Sequence, residues 1–113
     1  MQKYLVDHRD LRFTLFEFLE VDKMNRFRRF ENFDGDVYEE TIRLAEKIAA
    51  QWVFPANVTG HREGCRYDPQ TRSVRLPSGY SDAARALCDA GFLSIADDQE
   101  IGGAGMPLAI QSC

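Results

Sequence analysis

The residues with the strongest chemical implication are in the stretch "DDQEIGGAGMPLAIQSC", residues 97–113. Gly102, Gly103 and Gly105 fall within four positions and lead into Met106 and Pro107. A glycine-rich turn that opens a helix can aim backbone amides at a phosphate. This run is neither G-x-G-x-x-G nor G-x-x-x-x-G-K-[ST], and no lysine follows it. No strand is expected before it, so the context of a nucleotide fold is missing. The run reads instead as a loop whose backbone must pass close to something large.

Other reactive side chains are sparse. His8 and His61 are the only histidines, and each stands among charged residues with no second ligand at metal spacing. Both read as surface histidines. Cys65, Cys88 and Cys113 are odd in number and form no Cys-x-x-Cys pair. They read as free thiols of a reducing cytoplasm, with Cys65 and Cys88 half-buried and inert. No Ser-His-Asp or Cys-His constellation can be assembled. "NRFRRFENF" (25–33) alternates arginine with phenylalanine. Three arginines in a chain of net charge −4 are too few for nucleic-acid binding, so they read as arginines flanking a packed loop. The opening "MQKYLVDHRD" carries charges where a signal peptide needs an apolar run. No segment is apolar for long enough to span a bilayer.

The elements that must position these residues are mostly helical. In "DLRFTLFEFLEVDKM" (10–24), Asp10 is the expected N-cap. Leu11, Leu15, Phe16 and Leu19 recur at helical spacing there, with Phe13 and Phe18 widening the apolar face. The clearest helix follows Asp34 or Asp36, with Val37, Thr41, Leu44, Ile48 and Trp52 as its stripe and Ile42, Ala45, Ala49 and Val53 beside it. Pro55 ends or kinks it, and Gly60 and Gly64 offer stops to any continuation. "CRYDPQTRSVRLPSG" changes period and predicts a short hairpin near 65–76 that leans on the helices. A third helix starts at Ser78 or Ser81, turns Tyr80, Ala84, Leu87 and Cys88 inward, and stops at Gly91. A loop follows, and Pro107 suits the first turn of a further helix. Leu108 and Ile110 on that turn are expected to lack a partner. The fold class is therefore mostly α, a bundle-like single domain over 1–113 with one hairpin excursion.

In their order and spacing these residues resemble the acyl-CoA dehydrogenases. "GFLSIADDQEIGGAGMP" is similar to the stretch where a Gly-aromatic pair leads through an acid to Gly-Gly-x-Gly-x-Pro. "LAEKIAAQWVFPANVTGHREGCRYD" and "VRLPSGYSDAARALCDAGF" are similar to the helices before it. "YLVDHRDLRFTLFEFL" resembles the leader of the branch holding 3-methylmercaptopropionyl-CoA dehydrogenase-like and long-chain enzymes. The run Asn57, Gly60, Arg62, Glu63, Gly64 suits that branch, with His61 standing where it has Asp.

The resemblance implies the N-terminal helical domain, incomplete here, of a FAD-dependent enzyme. That enzyme dehydrogenates an acyl-CoA thioester across its α,β bond, using a carboxylate from a later domain. Gly102, Gly103, Gly105 and Met106 are then expected to wall the acyl-chain pocket. No catalytic, flavin-binding or metal-binding residue is expected in this chain, and none of its glutamates takes the base's role. FAD belongs to the parent enzyme and is not expected to bind this chain alone. A homo-oligomer, or missing domains or a partner subunit, is expected to complete it. The alternative is a stand-alone helical protein that binds a partner subunit or an acyl thioester through its aromatic faces.

Overall fold

A computed structural model describes residues 6–113. Residues 1–5, which include the first two residues of the resembling leader and the start of the stretch read for a signal peptide, lie outside the described residues. The fold is mostly helical with one two-stranded antiparallel hairpin.

Helix α1 (His8–Arg12) is capped by Asp7, whose carboxylate accepts from the amides of Arg9 and Asp10 at 3.0 and 3.1 Å. The expected cap, Asp10, is already inside the first turn. The helix then widens into a π turn over Phe13–Phe18. This wider turn changes the phase of the apolar face. Leu15 is buried and Leu11 and Phe16 pack beside it, whereas Phe13, Phe18 and Leu19 face solvent. Two short 3₁₀ turns, Val21–Arg26 and Arg28–Phe30, follow, and Val21 is buried.

Helix α2 (Gly35–Ile48) starts at Asp34, which accepts from the Val37 amide at 3.0 Å. Its buried side chains are Tyr38, Ile42 and Ile48. The expected stripe is thus rotated. Val37 and Thr41 are half-buried, while Leu44 and Trp52 are exposed. Pro55 does not end the run. The ladder opens to a π turn over Ala49–Val53, and α3 (Phe54–Glu63) begins with Pro55 in its first turn, where a missing amide costs little. Gly64 ends α3.

Strands β1 (Arg66–Asp68) and β2 (Ser73–Arg75) pair antiparallel, with Arg66 opposite Arg75 and Tyr67 opposite Val74. The hairpin does not lean on the helices: every residue of both strands is exposed. It is tied at its base, where Glu63 accepts from the amide and hydroxyl of Ser78 at 2.9 and 2.7 Å. That engagement removes Ser78 as a cap. Helix α4 (Tyr80–Asp89) instead starts at Gly79, with no side-chain cap. Its buried residue is Ala83, whereas Tyr80, Ala84 and Cys88 are exposed and Leu87 is half-buried. Small residues face inward because α3 and α4 approach closely: a Cβ on Gly60 would lie 2.3 Å from the Tyr80 hydroxyl.

After Gly91 come two 3₁₀ turns (Phe92–Ser94 and Gln99–Ile101) and then α5 (Leu108–Gln111). Ile110 corrects an expectation, because it is buried in the core with Leu15, Val21, Tyr38, Ile42 and Ile95. Leu108 is 72% exposed, as expected. The molecule is a slab of 57 × 38 × 18 Å. Its surface is 8690 Å², against about 6,300 Å² for a compact protein of its mass.

Candidate functional site

The glycine turn is held by its own backbone. Gly102 and Gly105 have φ of +93° and +73°, a region that side chains disfavour. Gly103 is required for space, since a Cβ there would lie 2.1 Å from the Asp97 carbonyl oxygen. The amides of Gly102, Gly103, Ala104, Gly105 and Met106 donate to the carbonyls of Gln99, Asp98, Ser94, Asp97 and Ile95 at 2.9–3.2 Å. The Gln99 side-chain amide closes the loop on the Ala104 carbonyl. A phosphate cradle needs free amides pointing at the ligand, and these five are engaged. Nor do these engaged amides offer donors to a flavin pyrophosphate.

The turn delivers two different surfaces. Met106 is half-buried against the core, with its sulfur 4.0 Å from the Thr41 hydroxyl. Gly105 lines an open polar cleft of about 670 Å³ with Arg28, Arg29, Asp98, Gln99 and Glu100. Arg29 pairs with Asp98 at 2.6 Å across it. The arginines of the 25–33 run otherwise lie over their own neighbours: Arg26 over Phe27 and Arg29 over Phe30. This is the packed-loop role expected of them. A smaller apolar groove of about 270 Å³ lies between α3 and α4, lined by Val53, Ala56, Asn57, Tyr80, Ala83, Ala84 and Leu87.

A charged cluster that sequence reasoning missed clamps α1 to α2. Arg12 pairs with Glu39 at 2.7 Å and with Glu46 at 3.0 Å, and His8 Nδ1 bonds to Glu46. His8 is therefore half-buried in an ion-pair network and not a free surface histidine. Burial raises the Glu46 carboxyl, but the hydrogen bonds from Arg12 and His8 outweigh it and leave Glu46 below its ordinary value. The two glutamates hold the Arg12 guanidinium above its own. Glu63 and Asp68 are also lowered, by hydrogen bonds from Ser78 and from the Gln70 amide respectively. A carboxylate shifted downward is a weaker base, the opposite of what proton abstraction near neutral pH requires. Residues 38 apart carry no sequence signal of this pairing.

Cys65, Cys88 and Cys113 are free thiols and all three are exposed, where half-burial was expected of Cys65 and Cys88. Among the described residues no three His, Cys, Asp or Glu side chains converge as metal ligands. Among the same residues no helix is long and apolar enough to cross a membrane.

Comparison with known proteins finds relatives among the acyl-CoA dehydrogenases. The chain is 33% identical over 110 residues, 97% of its length, to the broad-specificity linear acyl-CoA dehydrogenase FadE5 of Mycobacterium tuberculosis. This chain is a relative of the acyl-CoA dehydrogenases. It is also 26% identical over 93 residues to the butyryl-CoA dehydrogenase of Syntrophomonas wolfei subsp. wolfei, 80% of this chain. It spans 18% of the first relative's length and 15% of the second's. No protein-family model matches the chain. The helices and hairpin described above are the form this stretch of the acyl-CoA dehydrogenase relatives takes in this chain.

Proposed function

We infer that the chain is an N-terminal helical domain of a FAD-dependent acyl-CoA dehydrogenase, the enzyme class that dehydrogenates an acyl-CoA thioester across its α,β bond. The observation that carries this reading is the FadE5 match, which runs through 97% of the chain but only 18% of the enzyme. On this reading the flavin and the proton-abstracting carboxylate belong to other parts of the parent. This chain contributes shape. Its self-bonded turn at Gly102, Gly103 and Gly105 fixes the backbone beside Met106, and these residues form part of the acyl-chain wall. The downward-shifted carboxylates and the engaged loop amides support a structural role in place of a catalytic one. A cytoplasmic setting belongs to the same reading and is supported by the three free thiols. So does assembly with further domains or subunits, supported by the excess surface of the slab.

The source DNA beyond codon 113 tests the reading. An open frame running into a flavin-binding domain is expected, and a stop codon there would overturn it. In the parent enzyme, Met106→Ala should change kcat/KM for long against short acyl chains while leaving the flavin spectrum unchanged. An unaltered chain-length profile would remove Met106 from the wall.

A further inference from the structure

The hairpin sorts its side chains by alternation. Tyr67 and Val74 share one face, and Arg66 and Arg75 stand directly opposite each other on the other. Side chains so opposed have Cβ atoms about 5 Å apart, and like charges at that spacing are unfavourable. Glu63 and Asp68 flank Arg66 closely in the chain, yet neither pairs with an arginine. Glu63 accepts from the amide and the hydroxyl of Ser78 at 2.9 and 2.7 Å. Asp68 accepts from the Gln70 amide at 2.9 Å and from Thr71, both in the hairpin turn. Arg66 and Arg75 therefore form no ion pair among the described residues. The fold brings two guanidinium groups together and engages the local acids elsewhere.

The arginine pair opens on a cleft. Glu63, Gly64, Arg66, Arg75, Leu76 and Ser78 line a space of about 490 Å³, the size of a small-molecule site. Gly64 has a φ of +64°, and a Cβ there would meet nothing within 4 Å, so this part of the wall is bare backbone. The donors are two planar guanidinium forks, and each fork matches two oxygens of an anion. A carboxylate satisfies one fork. Two forks from opposed positions call for an anion with more oxygens and more charge, which a phosphoryl group supplies. The chain as a whole is at −4, so its overall field does not gather anions and the attraction is local to this pair. Glu63 is the one carboxylate of the cleft wall, and it feels both arginines while its hydrogen bonds hold it on Ser78.

We propose that this cleft is a phosphoryl-binding site, in which Arg66 and Arg75 together grip the phosphate of a phosphate ester or a pyrophosphate. The site does not depend on the dehydrogenase reading. Calorimetric titration of the 113-residue chain with inorganic pyrophosphate tests it, in a phosphate-free buffer of low ionic strength. Saturable one-to-one binding is expected. R66Q/R75Q should weaken it about 100-fold, through the loss of two hydrogen-bonded charges. R66K/R75K should weaken it about tenfold, because lysine keeps the charge and loses the fork. R62Q/R72Q removes the same charge from arginines that do not line the cleft, and should change the affinity less than about threefold. E63Q removes the nearby negative charge and should tighten binding. Circular dichroism verifies that each variant keeps its helices. In a nitrogen-labelled sample, pyrophosphate should shift the side-chain Nε–H resonances of Arg66 and Arg75 and leave those of Arg28 and Arg29, at the other polar cleft, in place. Coenzyme A as competitor separates two sources of the same chemistry. Displacement of pyrophosphate by coenzyme A assigns the phosphoryl group to the carrier of the acyl thioester, and its failure to displace assigns it to a separate phosphate ligand. Absence of saturable binding would overturn the proposal. So would an R62Q/R72Q loss as large as that of R66Q/R75Q, or shifts confined to other arginines.

Discussion

The two ends of the α2–α3 run are packed by different means. At the start of α2, large side chains converge from distant parts of the sequence. Leu15 comes from the first helix, Val21 from a 3₁₀ turn, Tyr38 and Ile42 from α2, Ile95 and Ile110 from the last quarter of the chain. At the far end, α3 and α4 meet over Ala56, Gly60, Gly79 and Ala83, and the hairpin beyond them is fully exposed. The first end is held by buried apolar area, at about 25 cal/mol per Å². The second is held by close approach of backbones, which buries little and leaves an apolar groove open.

That contrast can be broken at several points. Ile42→Ala should cost the most, about 3–4 kcal/mol in urea unfolding, since it opens a cavity where the core is densest. Gly103→Ala should cost about 3 kcal/mol, because its methyl would strike the backbone oxygen of Asp97 and not a movable side chain. A loss below 1 kcal/mol would show that the turn can shift. Gly60→Ala should cost less, about 1–2 kcal/mol. Its methyl meets the far end of Tyr80, which is 38% exposed and free to swing outward. Adding Tyr80→Ala should cancel most of that penalty in a double-mutant cycle.

The α1–α2 clamp predicts a pH dependence. The Glu46 carboxyl is lowered in the folded chain from its ordinary 4.5. Its contribution is therefore complete above about pH 4.5 and is lost as pH falls through the lowered folded value. Glu46→Gln should destabilise by about 1 kcal/mol at pH 7, and the difference should vanish in acid. A difference that grows in acid would reverse the assignment. The smallest effect is expected at the other end, where Val74→Ala on the exposed ribbon should stay within about 0.5 kcal/mol in a monomer. A larger loss at low salt that disappears at high salt would place Val74 in an interface.

Much of the fold was legible before the structure. Helix existence followed from periodicity, the hairpin from the change of period and the Pro-containing turn, and the helix stop at Gly91 from its C′ position. Two of the errors share a cause. The wide turns at Phe13–Phe18 and Ala49–Val53 add a residue to the local repeat, so stripes drawn at a fixed period drift off the buried face. Leu19 and Trp52 were assigned inward for this reason, whereas Leu44 precedes the second wide turn and faces out because α2 buries the face of Tyr38 and Ile42. Ser78 was assigned as a cap because its hydrogen bond to Glu63, 15 residues earlier, has no local signature. The glycine turn was read as a close approach to something large; the approach is close, but its neighbour is the Asp97 carbonyl of the same loop, which required coordinates.

By itself, the sequence determined what depends on neighbours a few residues apart: helices and their ends, the hairpin, the absence of a phosphate motif, and the kinship with acyl-CoA dehydrogenases carried by the order of its residues. Tertiary structure alone decided which face of each helix is buried. It also decided that Ile110 completes the core, that His8, Arg12, Glu39 and Glu46 form one network, and that the hairpin stands unsupported. The reason is physical. Periodicity and capping are local energies, whereas burial and ion pairing depend on which distant segments arrive at the same place, and a change of one residue in helical phase is enough to redirect them.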